Sequence, residues 1–527
     1  MLAGRAKLVC DAATMDRFPF ALSRLLPGAL ATTTAMTLAA LLAANPAEAA
    51  SRADKESAVL RGQLLGHITE LASDAYAGRE PGTEGEVMAL RYIGQQLSTI
   101  GLVSGTNDPG HPWFAPVTLV GRQPVASRAV FARKNKRVYV PQDQVLVLTS
   151  GKRTLIENAP LMFVGTAAVI PARADLAGRI ALLLDGGADD GTRQNALLAA
   201  GASGVLTVLD GDRSIASISA RRKRVAYALA GAELGGDIDA FISVAALNGA
   251  LVGTKTSVAS LQAAAAKPEF RPAPLDLTIS LEATTSEIRI HTHNIIGKLP
   301  GKRPAQGAVL LVAHWDHFGT CAQPPAEHLI CNGAVDNASG VAVLIEAARR
   351  LARGPQVDRD VYFLATTAEE LGLLGAQAFS ENPPVPLASI VAAFNIDSVA
   401  IGRAGQPFAI VGRGMTPLDP IIAQVARQQK KKLVEDDRAN TYVRRQDGWA
   451  LLQHDIPAVM VSSGWSDAAK VEQFMDTDYH RPTDVVKPTL ELGGAADDTL
   501  FLNALVRWFG DARRVPARPS VPVPPRR

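Results

Sequence analysis

The sequence lacks an excess of either charge, because 54 basic residues stand against 51 acidic ones in a chain of 527 residues. A net charge of +3 does not supply the basic surface that nucleic acids or other polyanions bind, so we expect no nucleic-acid partner. Aromatic residues are also few, at 5%, but hydrophobic residues reach 47% and charged residues 20%. These values are ordinary for globular proteins and exclude disorder over most of the chain.

Long hydrophobic runs are absent except near the start. Residues 25–44 read LLPGALATTTAMTLAALLAA, with Arg17 and Arg24 before them and the small-x-small triplet AEA at 47–49 after them. We interpret residues 1–49 as a secretory signal peptide, which predicts an exported protein, periplasmic or secreted, with no membrane contact after signal removal. The alternative is a single membrane anchor, since a spanning helix needs about 20 apolar residues.

Cysteine is scarce as well. Cys10 lies in the signal segment, so the mature chain keeps only Cys321 and Cys331. In an exported protein, two cysteines this close along the chain favour a disulfide. The alternatives are an unlinked pair or a soft metal pair, and the spacing is much wider than that of a CxxC metal motif.

Changes in residue pattern divide the chain. Helical spacing prevails over residues 56–101, short β-rich runs separated by turn residues occupy 131–275, and strand and helix patterns alternate from about 276. The predicted boundaries are 1–49 for the signal peptide, 50–130 for the first part of the main domain, 131–275 for an inserted β-rich module, 276–512 for the rest of the main domain, and 513–527 for a disordered Pro- and Arg-rich tail.

The alternation after residue 275 predicts the fold class. Apolar strand patterns such as AVLLVAHW and DVYFLATT are followed by amphipathic helix patterns such as SGVAVLIEAARRLAR. We therefore expect an α/β fold with a mainly parallel, mixed sheet sandwiched by helices. Because ligands of such sheets bind beyond the carboxyl ends of the strands, the residues that follow each strand are candidates for a site.

Acidic and histidine residues follow several of these strands. They are His314 and Asp316 after AVLLVA, Glu369 and Glu370 after DVYFLATTA, Asp397 after SIVAAFNI, Asp336 before a helix pattern, and His480 and Asp484 beyond VMVSS. Each alone has a simpler explanation, such as a helix cap or a turn. Together they would crowd acids at one edge of the sheet, which is costly unless cations neutralise them.

Imidazole and carboxylate ligands suit zinc, with manganese or cobalt as alternatives. An acid that bridges two metals about 3.5–4 Å apart would explain the odd number of carboxylates. Of the adjacent pair Glu369 and Glu370, one can bind metal while its neighbour faces a bound water as general base.

Five segments resemble the metal-site segments of the M28 family of zinc peptidases, which includes exported bacterial aminopeptidases. They are VAHWDHFG, NGAVDNASGVAVLIEAARRL, FLATTAEELGLLGAQAF, FNIDSV and YHRPTD. LASDAYAGREPGTEGE and HNIIGKLPG resemble further family segments. The module at 131–275 is similar to the protease-associated domain often inserted in this family, through GRIALLLDGG and NALLAAGASGVLTV.

The resemblance implies a role for each candidate residue. His314 and Asp397 would hold one zinc, Glu370 and His480 the other, Asp336 would bridge both, Glu369 would be the general base, Asp316 would orient His314, Asp484 would do the same for His480, and Tyr479 would donate to the oxyanion. The family also implies a cis peptide bond between Asp336 and Asn337. The remaining histidines, including His67 and His317, are predicted to lie on the surface or in loops, with His317 a lesser candidate for the substrate pocket.

The implied function is a di-zinc aminopeptidase that removes N-terminal residues from peptides or proteins, with a zinc-bridging hydroxide as nucleophile. A carboxypeptidase or dipeptidase is the first alternative, because Arg444, Arg445 and Arg481 are available to clamp a carboxylate. A glutaminyl cyclase-like acyltransferase and a non-catalytic binding protein are the others. One departure from the family stands at 446–448, where Gln-Asp-Gly replaces Ser-Asp-His.

Overall fold

A computed structural model of the chain describes residues 46–186, 190–210, 213–222, 225–232 and 237–517. The chain divides into two units, Met1–Glu56 and Ser57–Arg527. In the first, residues 46–56 are described and are helical. The second holds the sheet and the site. The predicted signal peptide lies almost wholly outside the described residues, as does most of the predicted tail.

The elements of the described residues alternate as the sequence patterns predict after residue 300. The strands are β1 (Val103–Ser104), β2 (Phe114–Arg133), β3 (Lys136–Tyr139), β4 (Val145–Thr149), β5 (Arg153–Gly165), β6 (Ile180–Leu184), β7 (Gly204–Leu209), β8 (Ala226–Leu229), β9 (Ile238–Ser243), β10 (Ala273–Leu299), β11 (Ala308–His314), β12 (Gly319–Thr320), β13 (Ile330–Cys331), β14 (Asp360–Thr366), β15 (Ile390–Asn395), β16 (Ala409–Val411) and β17 (Ala458–Ser462). The α-helices are α1 (Pro46–Leu71), α2 (Glu84–Ile100), α3 (Arg173–Leu176), α4 (Asp190–Ala199), α5 (Ile215–Arg222), α6 (Val244–Leu251), α7 (Val258–Ala265), α8 (Gly340–Arg353), α9 (Leu374–Glu381), α10 (Asp419–Gln428), α11 (Asp447–Leu452), α12 (Ala468–Thr477) and α13 (Leu492–Phe509). Within these described residues, we find no helix with the length and apolarity needed to span a bilayer.

Four parallel strands form the centre of the main sheet, in the order β14, β11, β15 and β17. Antiparallel strands flank them, β10 beside β14 and β16 beside β17. Every residue of β11 is buried, as expected for a central strand covered on both faces. The predicted fold class, a mainly parallel mixed sheet between helices, is confirmed.

The two faces of the sheet are covered by different helices. Val309 and Leu311 pack in a core with residues of α1, α2, α8, α10 and α13, while Leu310 and Val312 pack with residues of α9 and α11 on the other face. This alternation follows from the period of two in a β-strand. The sheet is therefore held from both sides, and its carboxyl edge is left for the site.

A second core lies between Ala129 and Ala283 and overlaps the predicted inserted module at 131–275. Strand β10 is one continuous strand from Ala273 to Leu299. It pairs antiparallel with β2 from Thr278 to Ile295, with a register shift between Thr284 and Thr285. The paired strands β2 and β10 thus join the two cores. The backbone groups of β10 form hydrogen bonds with those of β2 along this pairing.

A buried carboxyl lies at the end of β17. Asp498 on α13 is 3% exposed, and it accepts hydrogen bonds from the Ser462 hydroxyl at 2.5 Å and the Ser463 N–H at 2.7 Å. Burial raises the pKa of Asp498 to about 7. In the unfolded chain, the pKa of an aspartate is about 3.9. Between this pH and 7, the folded chain therefore keeps Asp498 protonated while the unfolded chain ionises it.

We expect Asp498 to lower the stability as the pH rises from about 4 to 7, because the unfolded state binds fewer protons than the folded state in this window. The free energy of unfolding should fall by up to about 1.4 kcal/mol per pH unit from this group. Asp498→Asn should flatten that slope in urea unfolding at several pH values. Asp276→Asn, at an exposed position, should leave the slope unchanged; equal slopes for Asp498→Asn and the unsubstituted chain would contradict the expectation.

Candidate metal centre

The strand-end residues meet at one edge of the sheet. His314 is the last residue of β11, Asp397 lies two residues beyond β15, and Glu369 lies three residues beyond β14. Asp336 precedes α8, and His480 follows α12. The parallel direction of the strands places their ends together, as the sequence analysis predicts.

The donor atoms fall into two groups that share Asp336. Its Oδ1 lies 3.3 Å from His314 Nε2, which is 3.6 Å from Asp397 Oδ1. Its Oδ2 lies 3.3 Å from His480 Nε2, which is 3.0 Å from Glu370 Oε2. Ligands around a tetrahedral zinc at about 2.0–2.1 Å are about 3.3 Å apart, so each group has the spacing of ligands around one cation.

The electrostatics of the donors also fit cations. Asp336 Oδ2 and His480 Nε2 are buried and make no hydrogen bond within the described part of the chain. Burial, together with the nearby carboxylates, raises the pKa of Asp397 above its usual range. Two imidazoles and three carboxylates that crowd in this way suit zinc or a similar divalent ion.

Glu369 lies beside the first donor group, with a carboxylate oxygen within 4.8 Å of donor atoms of His314 and Asp397. Its Oε2 is 3.9 Å from His314 Nε2, and the residue is buried. Burial first, and then the neighbouring carboxylates, hold the pKa of Glu369 well above its usual range. Its neighbour Glu370 points to the other donor group, so the adjacent pair divides between two positions as the sequence analysis predicts.

Asp316 acts on the glutamates more than on His314. Its carboxylate oxygens accept from the backbone N–H groups of Glu369 at 3.1 Å and Glu370 at 3.3 Å. His314 Nδ1 lies 3.2 Å from the carbonyl oxygen of Asp316 but 3.9 Å from its carboxylate. The backbone of Asp316, not its side chain, thus makes the closer approach to His314. Burial raises the pKa of the Asp316 carboxyl to about 7.

Asp484 supports a different residue from the one the resemblance implies. Its carboxylate accepts from the backbone N–H groups of Val335 at 2.9 Å and Asp336 at 3.0 Å, and makes none of the described hydrogen bonds to His480. The expectation that it orients His480 is therefore wrong, because the turn after His480 directs Asp484 toward the loop of the bridging acid. The implied cis peptide bond between Asp336 and Asn337 is present in that loop.

Tyr479 covers one side of the site. Its ring stacks on His480 with the centroids 3.6 Å apart, and the guanidinium of Arg445 lies 5.5 Å from its ring. Burial and the carboxylates of the site raise the pKa of Tyr479 well above its usual range. The phenol therefore stays protonated and can donate a hydrogen bond.

The departure at 446–448 leaves a buried carboxyl near the donors. Asp447 accepts a hydrogen bond from the Thr366 hydroxyl at the end of β14, and burial raises its pKa to about 6. The Gln446 amide oxygen accepts from Asn395 at 2.6 Å. Both side chains are engaged with strand ends, so this segment braces the sheet edge.

Two of the histidines predicted to lie on the surface or in loops are buried. His317 is 1% exposed, and its Nδ1 lies 2.6 Å from Glu370 Oε1. His67 is 7% exposed, between Tyr92 and Glu346. The prediction is wrong for His67, which lies in α1, whereas His317 lies in the loop that follows β11. Each histidine has a polar partner far along the chain that allows its burial.

The two cysteines form the predicted disulfide, Cys321–Cys331. It closes the loop between the short paired strands β12 and β13. Gly78 packs against this hairpin at φ 72°, and a Cβ there would lie 2.5 Å from the carbonyl oxygen of Cys331. Only glycine allows this approach.

Sequence reasoning missed Arg79, the residue after Gly78. It is 1% exposed and donates to four backbone carbonyls: Trp315 at 2.8 Å, Leu71 at 2.7 Å, Asn332 at 2.6 Å and Gly333 at 3.0 Å. Burial lowers its pKa to about 10, so it remains a cation at neutral pH, and the site acids counteract the shift. The available signal was its place in the family-like segment LASDAYAGREPGTEGE.

The fold and the paired donor groups define the class: an α/β protein with a candidate two-cation centre at the carboxyl edge of its sheet. The sequence profile of peptidase family M28 matches residues 294–496, which contain the five donor residues and Glu369. Residues 294–496 therefore match peptidase family M28, and the resemblance to this family is confirmed.

Two curated relatives are similar to part of the chain. The alkaline phosphatase isozyme conversion protein of Escherichia coli (strain K12) is 33% identical over 103 residues, which are 18% of this chain and 29% of that protein. Aminopeptidase YwaD of Bacillus subtilis (strain 168) is 34% identical over 108 residues, which are 20% of this chain and 21% of that protein. The chain thus matches less than a third of the length of either relative.

A solved structure agrees over a longer span. The aminopeptidase from Aneurinibacillus sp. strain AM-1 is similar with a TM-score of 0.51 and 19% identity, over 88% of this chain and 96% of that one. At this identity, the likeness supports the shared fold.

Arg79→Met should destabilise the protein by on the order of 3–5 kcal/mol, because it leaves four carbonyls without donors and removes a cation from beside the acids. Denaturant unfolding of the metal-free protein measures this loss. Arg79→Lys keeps the charge but has fewer donors. Its free energy of unfolding should lie between those of Arg79→Met and the unsubstituted protein. Arg438→Met, at an exposed ion pair, should change stability by less than about 0.5 kcal/mol. A loss below about 1 kcal/mol for Arg79→Met would contradict the role of Arg79.

Proposed function

We propose that the chain is an exported metallopeptidase that uses two zinc ions to remove N-terminal residues from peptides or proteins. The observation that carries the proposal is Asp336, whose two oxygens each lie 3.3 Å from the imidazole of a different donor group. The M28 match and the relative named an aminopeptidase support the reaction class.

The roles follow from the geometry. His314 and Asp397 would hold one zinc, Glu370 and His480 the other, and Asp336 both, with Glu369 as general base, Asp316 as the residue that positions the Glu369–Glu370 backbone, and Tyr479 as a hydrogen-bond donor. When bound, the two zinc ions lower the pKa of a water and polarise the scissile carbonyl.

The chain itself supplies the proton transfers. Glu369 accepts a proton from the attacking water and delivers it to the leaving amine. Its buried position beside His314 and Asp397 places its carboxylate next to the first donor group, where this step would occur. The protonated phenol of Tyr479 donates to the developing oxyanion from above His480.

Export is supported by the disulfide, because such bonds persist in oxidising compartments. The apolar run at 25–44 and the cleavage-like site at 47–49 point the same way. We place the mature enzyme in the periplasm or outside the cell.

We also propose that residues 131–275 are an inserted, protease-associated-like domain. Its support is the separate core between Ala129 and Ala283 and the paired strands that join this core to the rest. The domain boundaries fall inside these strands, near the residues where the second core begins and ends.

A carboxypeptidase or dipeptidase is the second candidate, favoured by one observation. Arg445 is exposed next to Tyr479 and could clamp a substrate carboxylate at the rim of the site.

A substrate panel tests the two against each other. We expect zinc-loaded protein to cleave amino-acyl chromogenic amides with a free α-amine and to leave N-acetylated forms intact. Cleavage that requires a free C-terminal carboxylate and tolerates acetylation would overturn the aminopeptidase in favour of the carboxypeptidase. Dependence on both termini would identify a dipeptidase.

Glu369→Gln and Glu370→Gln form a matched pair of adjacent, isosteric changes. The first should keep both zinc ions and lower kcat by at least about 100-fold, because the base is lost. The second should lose one zinc ion, because a carboxylate ligand becomes an amide. Zinc content per chain and initial rates measure both effects. Near-normal turnover in Glu369→Gln would remove Glu369 from the role of base.

A further inference from the structure

His317 is buried against the second donor group, although it belongs to neither group. The side chains of His317 and Glu370 are 0% and 4% exposed, and His317 Nδ1 lies 2.6 Å from Glu370 Oε1. A carboxylate only accepts hydrogen bonds, so Nδ1 carries the hydrogen and donates it.

This contact divides the two oxygens of Glu370. Oε1 is occupied by His317, while Oε2 faces His480 Nε2 at 3.0 Å. The backbone N–H of Glu370 donates to Asp316 Oδ2 at 3.3 Å. Residues 316 and 317 therefore fix Glu370 at both its backbone and its carboxylate, and leave one oxygen toward the donor group.

The ring of His317 is itself held in place. Its backbone N–H donates to the carbonyl of Arg79 at 3.4 Å. A Cβ on Gly333 would lie 2.8 Å from two atoms of the ring, so this glycine lets the imidazole pack directly on the backbone before Asp336. The ring cannot move away without disturbing the loop of the bridging acid.

We propose that His317 is a positioning residue that holds Glu370 as a one-oxygen ligand of the second cation. This inference rests on the proposed two-zinc function and assigns a role to a residue outside the ligand set. Residues that orient a metal ligand by a hydrogen bond typically change metal affinity by about 10–100-fold when removed. The loss should fall on the cation bound by Glu370 and His480, not on the one bound by His314 and Asp397.

The test uses two substitutions of equal size. His317→Asn keeps a donor near the position of Nδ1, while His317→Leu removes it. Metal-free full-length protein is titrated with zinc by calorimetry, and with cobalt to follow the visible absorption of each bound ion. We expect His317→Leu to weaken one of the two equivalents by about 10–100-fold and to leave the other unchanged. His317→Asn should restore the weakened equivalent to within about threefold, and His291→Leu, at an exposed histidine, should have no effect.

Three outcomes would overturn the role of His317 while leaving the proposed function intact. The affinities of both zinc ions could be unchanged in His317→Leu, both could be weakened equally, or His317→Asn could bind zinc no better than His317→Leu. An unsubstituted protein that binds fewer than two zinc ions would overturn both. A crystal structure of the zinc-loaded, unsubstituted protein decides the matter even if His317→Leu does not fold. We expect Glu370 bound through one oxygen with Oε1 on His317 Nδ1; His317 bound to zinc, or Glu370 bound through both oxygens, would refute the inference.

Discussion

Five donor side chains lie within a few ångströms of one another, although their three carboxylates repel each other. The surrounding structure must therefore hold these side chains in place. Asp336 is at their centre, because its two oxygens face different imidazoles. Such crowding is costly in a buried site unless fixed dipoles and cations offset it. The chain itself supplies one such cation, the buried guanidinium of Arg79, whose charged form the acids of the site stabilise.

The supporting residues act mainly through the backbone. Asp316 and Asp484 do not touch the imidazoles by their carboxylates; each accepts from two successive N–H groups of a loop that carries donors. The guanidinium of Arg79 donates to the carbonyls of Trp315 and Gly333, which lie close along the chain to His314 and Asp336. A ligand fixed in this way is held by its main chain as well as by its side chain.

The sheet explains why these loops meet. Parallel strands end at the same edge, and helices cover both faces of the sheet, so the loops that follow the strands meet at that edge. The second core is carried by β2 and β10, which run on from the main sheet as a paired ribbon. The ribbon makes the connection stiff, because its backbone groups are paired along most of their length.

The α/β class, the strand ends that carry His314, Glu369 and Asp397, and a favoured disulfide could be predicted from the sequence alone. These depend on local patterns: buried strands read as apolar runs, and a strand ends where polar residues begin. Which group each supporting side chain contacts depends on the tertiary structure. Arg79 meets Trp315 and Asn332 across more than 200 residues, and His317 meets Glu370 across 53. Spacing along the chain cannot specify such contacts, because they depend on how distant loops approach each other once the sheet has closed.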